Sequence, residues 1–316
     1  MKGTYHIEVK NRDASFKFEL YRNITIVRGN SGTGKTTLFD MIADYTRLGA
    51  ESGVNISCEK NCAALVDIDW KNQLKQVSDS IVFIDEGASY LKTKEFADTI
   101  KNTDNYYVIF TREYLHDLPY SVSEIYEIKT SGKYHTFKRL YKSDEKHIYS
   151  KAGKNKRLPF EIVLTEDAKS GYQFYENYFK DTAVKCESSA SNSAIFGWLK
   201  EHHDKVVFVI ADGAAFGSEI DRILQLPFSK NITLCLPESF EWLILKSGLI
   251  KTENIQEMLA DPSAYIESAE FFSWENFFEK YLIAATVNTP FQYAKKKLNP
   301  AYLNPTNAGK IAEEII

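Results

Sequence analysis

The chain has 316 residues, which is enough for about two domains at the usual size of roughly 150 residues each. Apolar residues make up 44% and aromatic residues 14%, so the chain can form packed cores. The net charge of −4 arises from 39 basic and 43 acidic residues and neither requires nor forbids a polyanionic partner. No run of 18 apolar residues occurs, and the start "MKGTYHIEVK" lacks the apolar core of a signal peptide. We therefore expect a soluble cytoplasmic protein with no membrane partner.

The four cysteines, Cys58, Cys62, Cys186 and Cys235, fit a reducing compartment. Cys58 and Cys62 are close in sequence, but no second pair of Cys or His residues stands near them at zinc-site spacing. We interpret all four as ordinary thiols.

The first third of the chain alternates between strand and helix patterns. "TYHIEVK" and "SFKFEL" have a period of two on either side of a polar break, which predicts a β-hairpin. "NITIVRG" predicts a short strand, and "KTTLFDMIADYTRLG" predicts a helix that ends at Gly49. Residues 79–86 and 105–113 have the length of buried strands, with a helical stretch between them. A second hairpin, turning at Ser131 and Gly132, completes a predicted domain over residues 1–141.

A basic linker is predicted over residues 142–159. The wider stretch 133–157 carries nine lysines or arginines and two acidic residues, which would suit the phosphate backbone of DNA or RNA. A solvated linker is the alternative. Four aromatic residues interleave with the basic ones, as stacking platforms would: Tyr134, Phe137, Tyr141 and Tyr149. "YAKKK" (293–297) is a second, weaker candidate for the same role.

Residues 160–252 resume the alternation, with four strand patterns and three helical patterns between them. This order predicts a second, parallel α/β domain. Residues 253–316 are predicted to form a helical C-terminal extension, in which 288–310 are loop-like.

A phosphate-binding loop is predicted between the third strand and the first helix. Gly29 is followed by four residues and then by Gly34, Lys35 and Thr36. Backbone N–H groups of the loop would surround the phosphates of ATP, Lys35 would reach the β- and γ-phosphates, and the Thr36 hydroxyl would hold Mg²⁺. The predicted nucleotide-binding residues are Gly29, Asn30, Ser31, Gly32, Thr33, Gly34, Lys35, Thr36, Thr37 and Asp85.

Two acids follow the strand pattern "SIVFI". Asp85 would lie beside the Mg²⁺, and Glu86 would polarise the attacking water, so that Glu86 and Lys35 are the predicted catalytic residues. A helix N-cap pair is the alternative for the two acids. Thr111 or Arg112, after the next strand, would sense the γ-phosphate, unless Arg112 is an ordinary surface residue.

Three features together resemble the ABC-type ATPases, especially the soluble RecF-like and SMC-like heads, over residues 1–140. They are the β-hairpin before the loop, the adjacent Asp85 and Glu86, and the polar residue after the next strand. The resemblance implies an ATP-binding P-loop domain that begins with a β-hairpin. No signature similar to LSGGQ lies between Lys35 and Asp85, and His116 comes too late to be the switch histidine of that family. ATP binding is therefore the firm expectation, and ATP turnover is a separate hypothesis.

Acidic residues also follow strand patterns in the second half: Glu166 with Asp167, then Asp212, then Glu238 and Glu241. Because the carboxyl ends of parallel strands share one edge, these residues would converge on one crevice. Carboxylates are suitable ligands for Mg²⁺ or Mn²⁺, and two such ions would activate water against a phosphodiester. Helix capping is the alternative for each acid taken singly.

The order of these acids resembles the TOPRIM domain over residues 160–250. An ATPase followed by TOPRIM is similar to the overcoming-lysogenisation-defect (OLD) family and related anti-phage ATPase–nuclease systems. The resemblance implies that Glu166, Asp212, Glu238 and Glu241 bind metal in addition to Thr36 and Asp85. The sequence departs from the Asp-x-Asp motif of TOPRIM, since Asp212 is followed by Gly213 and Ala214.

The predicted fold class is α/β, with a P-loop domain followed by a TOPRIM-like domain and a helical extension. We predict an ATP hydrolase that regulates a metal-dependent nuclease or nucleic-acid-processing domain in phage defence. We expect it to act as a homo-oligomer or in a complex with another protein. A non-catalytic ATP-dependent switch with a degenerate TOPRIM-like domain is one alternative, and a phosphotransferase is another.

Overall fold

The computed structural model describes residues 1–30, 32–66, 69–149 and 159–316. The chain is α/β and forms two compact units. The first unit contains Met1–Tyr141 and Asp261–Phe272, and the second contains Lys142–Ala260 and Ser273–Ile316. Across these described ranges, no helix is both long enough and apolar enough to cross a membrane.

The first unit is built on a mixed sheet. Its described strands are β1 (Tyr5–Lys10), β2 (Ser15–Leu20), β3 (Ile24–Arg28), β4 (Asn55–Ser57), β5 (Asn61–Leu65), β6 (Ser80–Ile84), β7 (Tyr106–Phe110), β8 (Ile125–Ser131) and β9 (Tyr134–Arg139). They lie in the order β4-β1-β2-β9-β8-β3-β7-β6-β5. Both predicted hairpins are confirmed, because β1 pairs antiparallel with β2 and β8 pairs antiparallel with β9.

The strands from β8 through β3, β7 and β6 to β5 form the parallel part of this sheet. Strands β3, β6 and β7 are buried along their whole length, as expected for parallel strands covered on both faces. Strand β7 lies between β3 and β6, so the residues that follow these three strands meet at one edge of the sheet.

Three helices of the first unit are described: α1 (Lys35–Leu48), α2 (Trp70–Lys75) and α3 (Lys94–Ile100). Helix α1 ends at Gly49 as predicted, and it buries Leu38, Phe39, Met41 and Ile42 in the apolar core beside the sheet. The N-terminus of α3 is capped by Thr93, whose hydroxyl accepts the N–H of Phe96.

The second unit contains a smaller sheet. Its described strands are β10 (Ile148–Tyr149), β11 (Ile162–Thr165), β12 (Lys185–Ser188), β13 (Val207–Ile210) and β14 (Ile232–Cys235), in the order β10-β14-β13-β11-β12. The four predicted strands β11 to β14 are confirmed and run parallel to their neighbours. Strand β10 adds an antiparallel edge.

Helices separate the strands of the second unit and continue to the C-terminus. They are α4 (Ser170–Phe179), α5 (Asn192–Glu201), α6 (Ile220–Leu224), α7 (Phe240–Lys246), α8 (Ile255–Ala260), α9 (Trp274–Thr286) and α10 (Pro305–Glu313). The first three lie between successive parallel strands, which is the predicted alternation.

Two expectations about local structure are wrong. The segment predicted to be loop-like contains the start of α10, because Pro305 fits the first helical position and the Asn304 side chain accepts the N–H of Thr306. The predicted linker contains β10, whose two residues are buried against β14. Residues 150–158 of that linker lie outside the described residues.

Candidate functional site

The glycine loop connects β3 to α1 and holds Lys35 at the first position of the helix. The Lys35 side chain is only 6% exposed. Its Nζ donates to the carbonyl oxygen of Gly29 at 2.5 Å and to that of Asn30 at 3.1 Å. Burial lowers the pKa of Lys35, and the Glu86 carboxylate opposes this effect. The loop therefore keeps a cation among backbone dipoles, with few water molecules to solvate it.

Gly34 precedes Lys35 and has a φ of 97°, in the left-handed region that favours glycine. A Cβ atom at this position would lie 3.4 Å from the Phe16 ring and 3.5 Å from Nδ1 of His135. These two rings stack with centroids 4.2 Å apart. The two Cβ distances are ordinary van der Waals distances, so the positive φ of the loop is what requires glycine at this position.

A cavity of about 300 Å³ opens in front of the loop. On one wall, Glu86 places one carboxylate oxygen 3.9 Å from Lys35 Nζ and the other 2.7 Å from Nε of Arg112. On another wall lie Thr130 and His135, whose side chains are hydrogen-bonded at 2.9 Å. The predicted loop residues that line it are Asn30, Gly32, Thr33, Gly34, Lys35, Thr36 and Thr37. Ser31 lies outside the described residues.

The structure distinguishes the two sensor candidates. Arg112 lines the cavity and pairs with Glu86. Thr111 is buried, and its hydroxyl accepts the N–H of Glu113. Of the two, Arg112 is therefore the residue whose side chain is known to line the cavity.

Asp85 has an acidic neighbour that the sequence analysis missed. The pKa of Asp40 is raised, first by burial and then by the negative charges of Asp85 and Asp44. Asp40 follows Thr36 by one helical turn, so the two side chains lie on one face of α1. That spacing is the signal that could have placed Asp40 near Thr36 and Asp85.

A second cavity, of about 40 Å³, lies at the carboxyl edge of the smaller sheet. Strands β11, β13 and β14 are adjacent, and Glu166, Asp212 and Glu241 all line this cavity. Glu166 Oε2 accepts the backbone N–H of Asp212 at 3.1 Å. The predicted convergence therefore holds for these three carboxylates.

The other two acids predicted near this edge have different surroundings. Glu238 is buried but is not among the described residues that line the cavity. Asp167 does line it, but its carboxylate accepts the N–H of Lys169 at 2.9 Å and pairs with the Lys169 ammonium at 3.1 Å. Asp167 thus stabilises the turn before α4.

A lysine enters the same cavity from the segment after α9. Nζ of Lys295 lies 2.5 Å from Glu275, 3.2 Å from Glu279 and 3.8 Å from Oε1 of Glu241. Glu275 and Glu279 are one turn apart on α9, so both reach the same ammonium. The sequence analysis assigned Lys295 to a basic segment and missed its role as the internal counter-ion of these carboxylates.

Glu241 is the most buried of these acids. Its Oε1 accepts the Tyr293 hydroxyl at 2.6 Å, and that hydroxyl oxygen in turn accepts the Ser170 hydroxyl at 2.6 Å. Its Oε2 is buried and has no hydrogen-bond partner among the described residues. A buried carboxylate oxygen without a donor is costly, so this atom is available to a cation.

The protonation of these acids reflects burial first and charge second. Burial, followed by the charge of Glu275, raises the pKa of Glu166 to about 7. Burial, followed by the charges of Glu166 and Glu275, raises the pKa of Asp212 well above its ordinary range. The pKa of Glu241 is also raised by burial, although Lys295 opposes the shift. Burial alone would lower the pKa of Lys295, but the carboxylates around it outweigh burial and raise it.

The carboxylate cavity suits a divalent cation in its charge and its oxygen donors. However, the described residues contain no group of three His, Cys, Asp or Glu side chains already arranged to hold a metal ion. Binding a metal would require Lys295 to withdraw and the carboxylates to turn. The oxygen atoms of these carboxylates therefore suit a cation, but their present arrangement is the one that pairs Glu241 with Lys295.

The residues after Asp212 explain the departure from Asp-x-Asp. A Cβ atom on Gly213 would lie 2.3 Å from the carbonyl oxygen of Leu236, and the Gly213 N–H donates to Pro237 at 2.6 Å. Ala214, which stands where the second aspartate would be, is buried. This turn is therefore packed against the end of β14 and has no room for a second carboxylate.

The expected nucleic-acid stretch is only partly exposed. Tyr134 in β9 is 60% exposed, but Phe137 is half-buried and stacks on Phe18 at 4.0 Å. Tyr149 is buried in β10. The prediction that all four aromatic residues are stacking platforms is therefore wrong. In "YAKKK", Tyr293 is buried and Lys295 faces the carboxylate cavity, which leaves Lys296 and Lys297 exposed.

Comparison with protein-family models gives no match for this chain, and comparison with curated proteins gives none either. Functional conclusions therefore depend on the chemistry of the two cavities.

Proposed function

We propose that the first unit binds ATP with Mg²⁺ at the loop between β3 and α1. The observation that carries the proposal is the buried ammonium of Lys35, which faces a cavity of about 300 Å³ and has backbone carbonyls as its nearest partners. Phosphate oxygens are better partners for an ammonium than carbonyl oxygens, because they carry a full negative charge. The N-terminus of α1 favours the same anion.

The residues at the mouth of α1 fit a magnesium ion. Thr36 is exposed at the first turn of the helix, and the charge of Asp85 already acts on Asp40 one turn further on. A hydroxyl and carboxylates are hard oxygen donors, as Mg²⁺ requires. When bound, the ion would neutralise charge on the phosphates, and Thr36 and Asp85 would hold it.

Glu86 and Arg112 supply the groups that hydrolysis would need. Glu86 is a carboxylate on the cavity wall, where it would orient and polarise water, and Arg112 would stabilise negative charge on the phosphates. In the structure these side chains neutralise each other. A bound triphosphate would attract Arg112 and Lys35, and so would release Glu86 for its role toward water.

Titration with ATP and Mg²⁺ tests this proposal. We expect Lys35→Ala to abolish binding or to weaken it at least tenfold, since a charge-assisted contact contributes about 1.5–3 kcal/mol. Lys94→Ala is the matched control, because Lys94 is an exposed lysine at the start of α3. Equal affinities of the wild type and Lys35→Ala, with both proteins folded by circular dichroism, would sink the proposal.

The carboxylate cavity favours a second candidate function, a divalent-metal-dependent phosphodiester hydrolase regulated by the nucleotide site. The observation in its favour is the convergence of Glu166, Asp212 and Glu241, with a buried Glu241 oxygen that lacks a donor. A bound metal would supply an activated water, and these carboxylates would hold the ion once the Lys295 ammonium had withdrawn from Glu241.

Incubation with plasmid DNA, ATP and Mn²⁺ tests the second candidate. Nicking that requires Mn²⁺ and is lost in Asp212→Ala supports the hydrolase. ATP binding without nicking by the wild type supports the alternative, an ATP-dependent switch whose second unit binds a partner.

A further inference from the structure

The two edge strands of the larger sheet are joined by a very short connection. Strands β4 and β5 stand at opposite ends of the strand order, yet only residues 58–60 lie between them in sequence. Four residue steps, from Ser57 to Asn61, span at most about 14 Å. The ends of these edge strands are therefore close together; Cys58 is the first residue of the connection, and Cys62 is the second residue of β5.

The two sulfur atoms lie on either side of Lys60. The Lys60 N–H donates to Cys58 Sγ at 3.4 Å, and the Cys62 thiol donates to the Lys60 carbonyl oxygen at 3.9 Å. The two thiols are also near enough for each to shift the pKa of the other. Both are half-buried and pack against the core of the first unit. This arrangement holds two thiols within reach of each other in a turn that solvent can enter.

We propose that Cys58 and Cys62 form a redox-active pair, which a small hydroperoxide converts to a disulfide across the β4–β5 connection. Cys58 is the residue that the oxidant attacks, and Cys62 is the residue that resolves the oxidised sulfur. This site is separate from both cavities and does not depend on the function proposed for them.

The chemistry balances with hydrogen peroxide as the oxidant. The Cys58 thiolate attacks one peroxide oxygen, the O–O bond breaks, and the products are a sulfenic acid and hydroxide, which takes up the proton that Cys58 had lost. The Cys62 sulfur then attacks the sulfenic sulfur, the S–O bond breaks, and water leaves with the Cys62 proton. Overall, two thiols are oxidised to one disulfide and one peroxide is reduced to two waters.

The surroundings of the thiols favour this division of roles. The neighbouring Cys62 side chain, assisted by the Lys60 N–H, lowers the pKa of Cys58 to about 7 against the opposing effect of burial. Cys58 in turn raises the pKa of Cys62, and this cause disappears once Cys58 has lost its negative charge as a sulfenic acid. Burial raises the pKa of Cys186 to about 11, and Cys235 is fully buried. The thiolate is the reactive form, so Cys58 is the preferred target.

Peptide mapping after limited exposure of the whole protein to hydrogen peroxide tests the proposal. Trypsin cleaves after Lys60 and separates Cys58 from Cys62, so the disulfide appears as two linked tryptic peptides that a reductant releases. We expect this species as the first oxidation product. In Cys62→Ser, the same dose should leave Cys58 as a sulfenic acid, and in Cys58→Ser no linked species should form.

Alkylation of the reduced wild type provides a measurement that does not depend on any variant. Iodoacetamide at pH 7 should modify Cys58 roughly tenfold or more faster than Cys186, because the larger thiolate fraction outweighs its lower nucleophilicity. Equal alkylation rates at Cys58 and Cys186 would overturn the proposal. So would oxidation of the wild type that gives sulfinic acid at Cys58 without linked peptides.

Discussion

Replacing Lys295 with methionine tests how the second unit holds its buried acids. The Lys295 side chain is 16% exposed and contacts Glu241, Glu275 and Glu279. Methionine keeps most of the length of the lysine stem and removes the ammonium. The three carboxylates then have no cation at their centre, although Glu241 keeps its bond to Tyr293.

The expected loss of stability is about 3 kcal/mol at pH 8, the lower end of the cost of removing one partner from a buried ion pair. The loss should be smaller at pH 5, because the pKa of Glu241 is raised and its carboxyl then takes up a proton in place of the ion pair. A divalent cation should offset the loss. A ligand at 100 times its Kd adds roughly 2.7 kcal/mol to the folded state.

Urea unfolding monitored by tryptophan fluorescence measures this effect. Three of the four tryptophans, Trp198, Trp242 and Trp274, lie in the second unit, so the signal reports mainly on it. The titrations are run with EDTA and with Mn²⁺. Lys205→Met is the matched control, because Lys205 forms exposed pairs with Glu161 and Asp204, which contribute about 0–1 kcal/mol.

Two results would refute this reasoning at different points. If Lys295→Met loses no more stability than Lys205→Met, then Lys295 does not balance the buried acids. If Lys295→Met loses about 3 kcal/mol but Mn²⁺ restores none of it, then the carboxylates do not accept a metal ion. The second result would also remove the basis of the hydrolase candidate.

Three further predictions concern single residues of the two cavities. Gly213→Ala should destabilise the second unit by about 3 kcal/mol or more in urea unfolding, because its Cβ would overlap the Leu236 carbonyl. Gly197→Ala is the control and should not destabilise the unit, because the space around Gly197 is open. Glu166 binds an extra proton in the folded state, so it should lower stability measured in EDTA by up to about 3 kcal/mol as pH rises from 4.5 to 7. Glu166→Gln should make this decline smaller, and the part that remains comes from Asp212 and Glu241, whose pKa values are also raised. Glu86→Gln removes a carboxylate 3.9 Å from Lys35, so ATP affinity measured by titration should rise roughly fivefold. Phosphate release should stop in this variant, and unchanged turnover would show that another residue positions the water.

Local patterns predicted most of the secondary structure. The hairpins, the buried strands β3, β6 and β7, and the helix after the glycine loop were all recognisable because period, length and turn residues agreed. Helix α10 was missed because three prolines and several asparagines suggested a loop, although Asn304 and Pro305 are good residues for a helix start. The strand β10 is too short to have a pattern of its own.

The two cavities show what sequence patterns predict well and what they miss. The loop residues are close in sequence, and the acids at strand ends follow from topology, so both could be predicted. Lys295 and Glu275 reach the second cavity through tertiary packing, which no local pattern encodes. The pairing of Arg112 with Glu86 likewise depends on β7 lying next to β6 in the sheet.

The two cavities differ in the charges that line them, and this contrast bears on the ligands proposed for them. At the loop, Lys35 and Arg112 face the Glu86 carboxylate, and the charge of Asp85, which would hold Mg²⁺, also acts on Lys35. In the second unit, the described residues that line the cavity include two lysines and four acids, so negative charge is left over for a cation or for protons. In each case an internal ion pair takes the place that a ligand would have. A ligand must therefore compete with a side chain already present, and its affinity will depend on that side chain as much as on the residues that contact it.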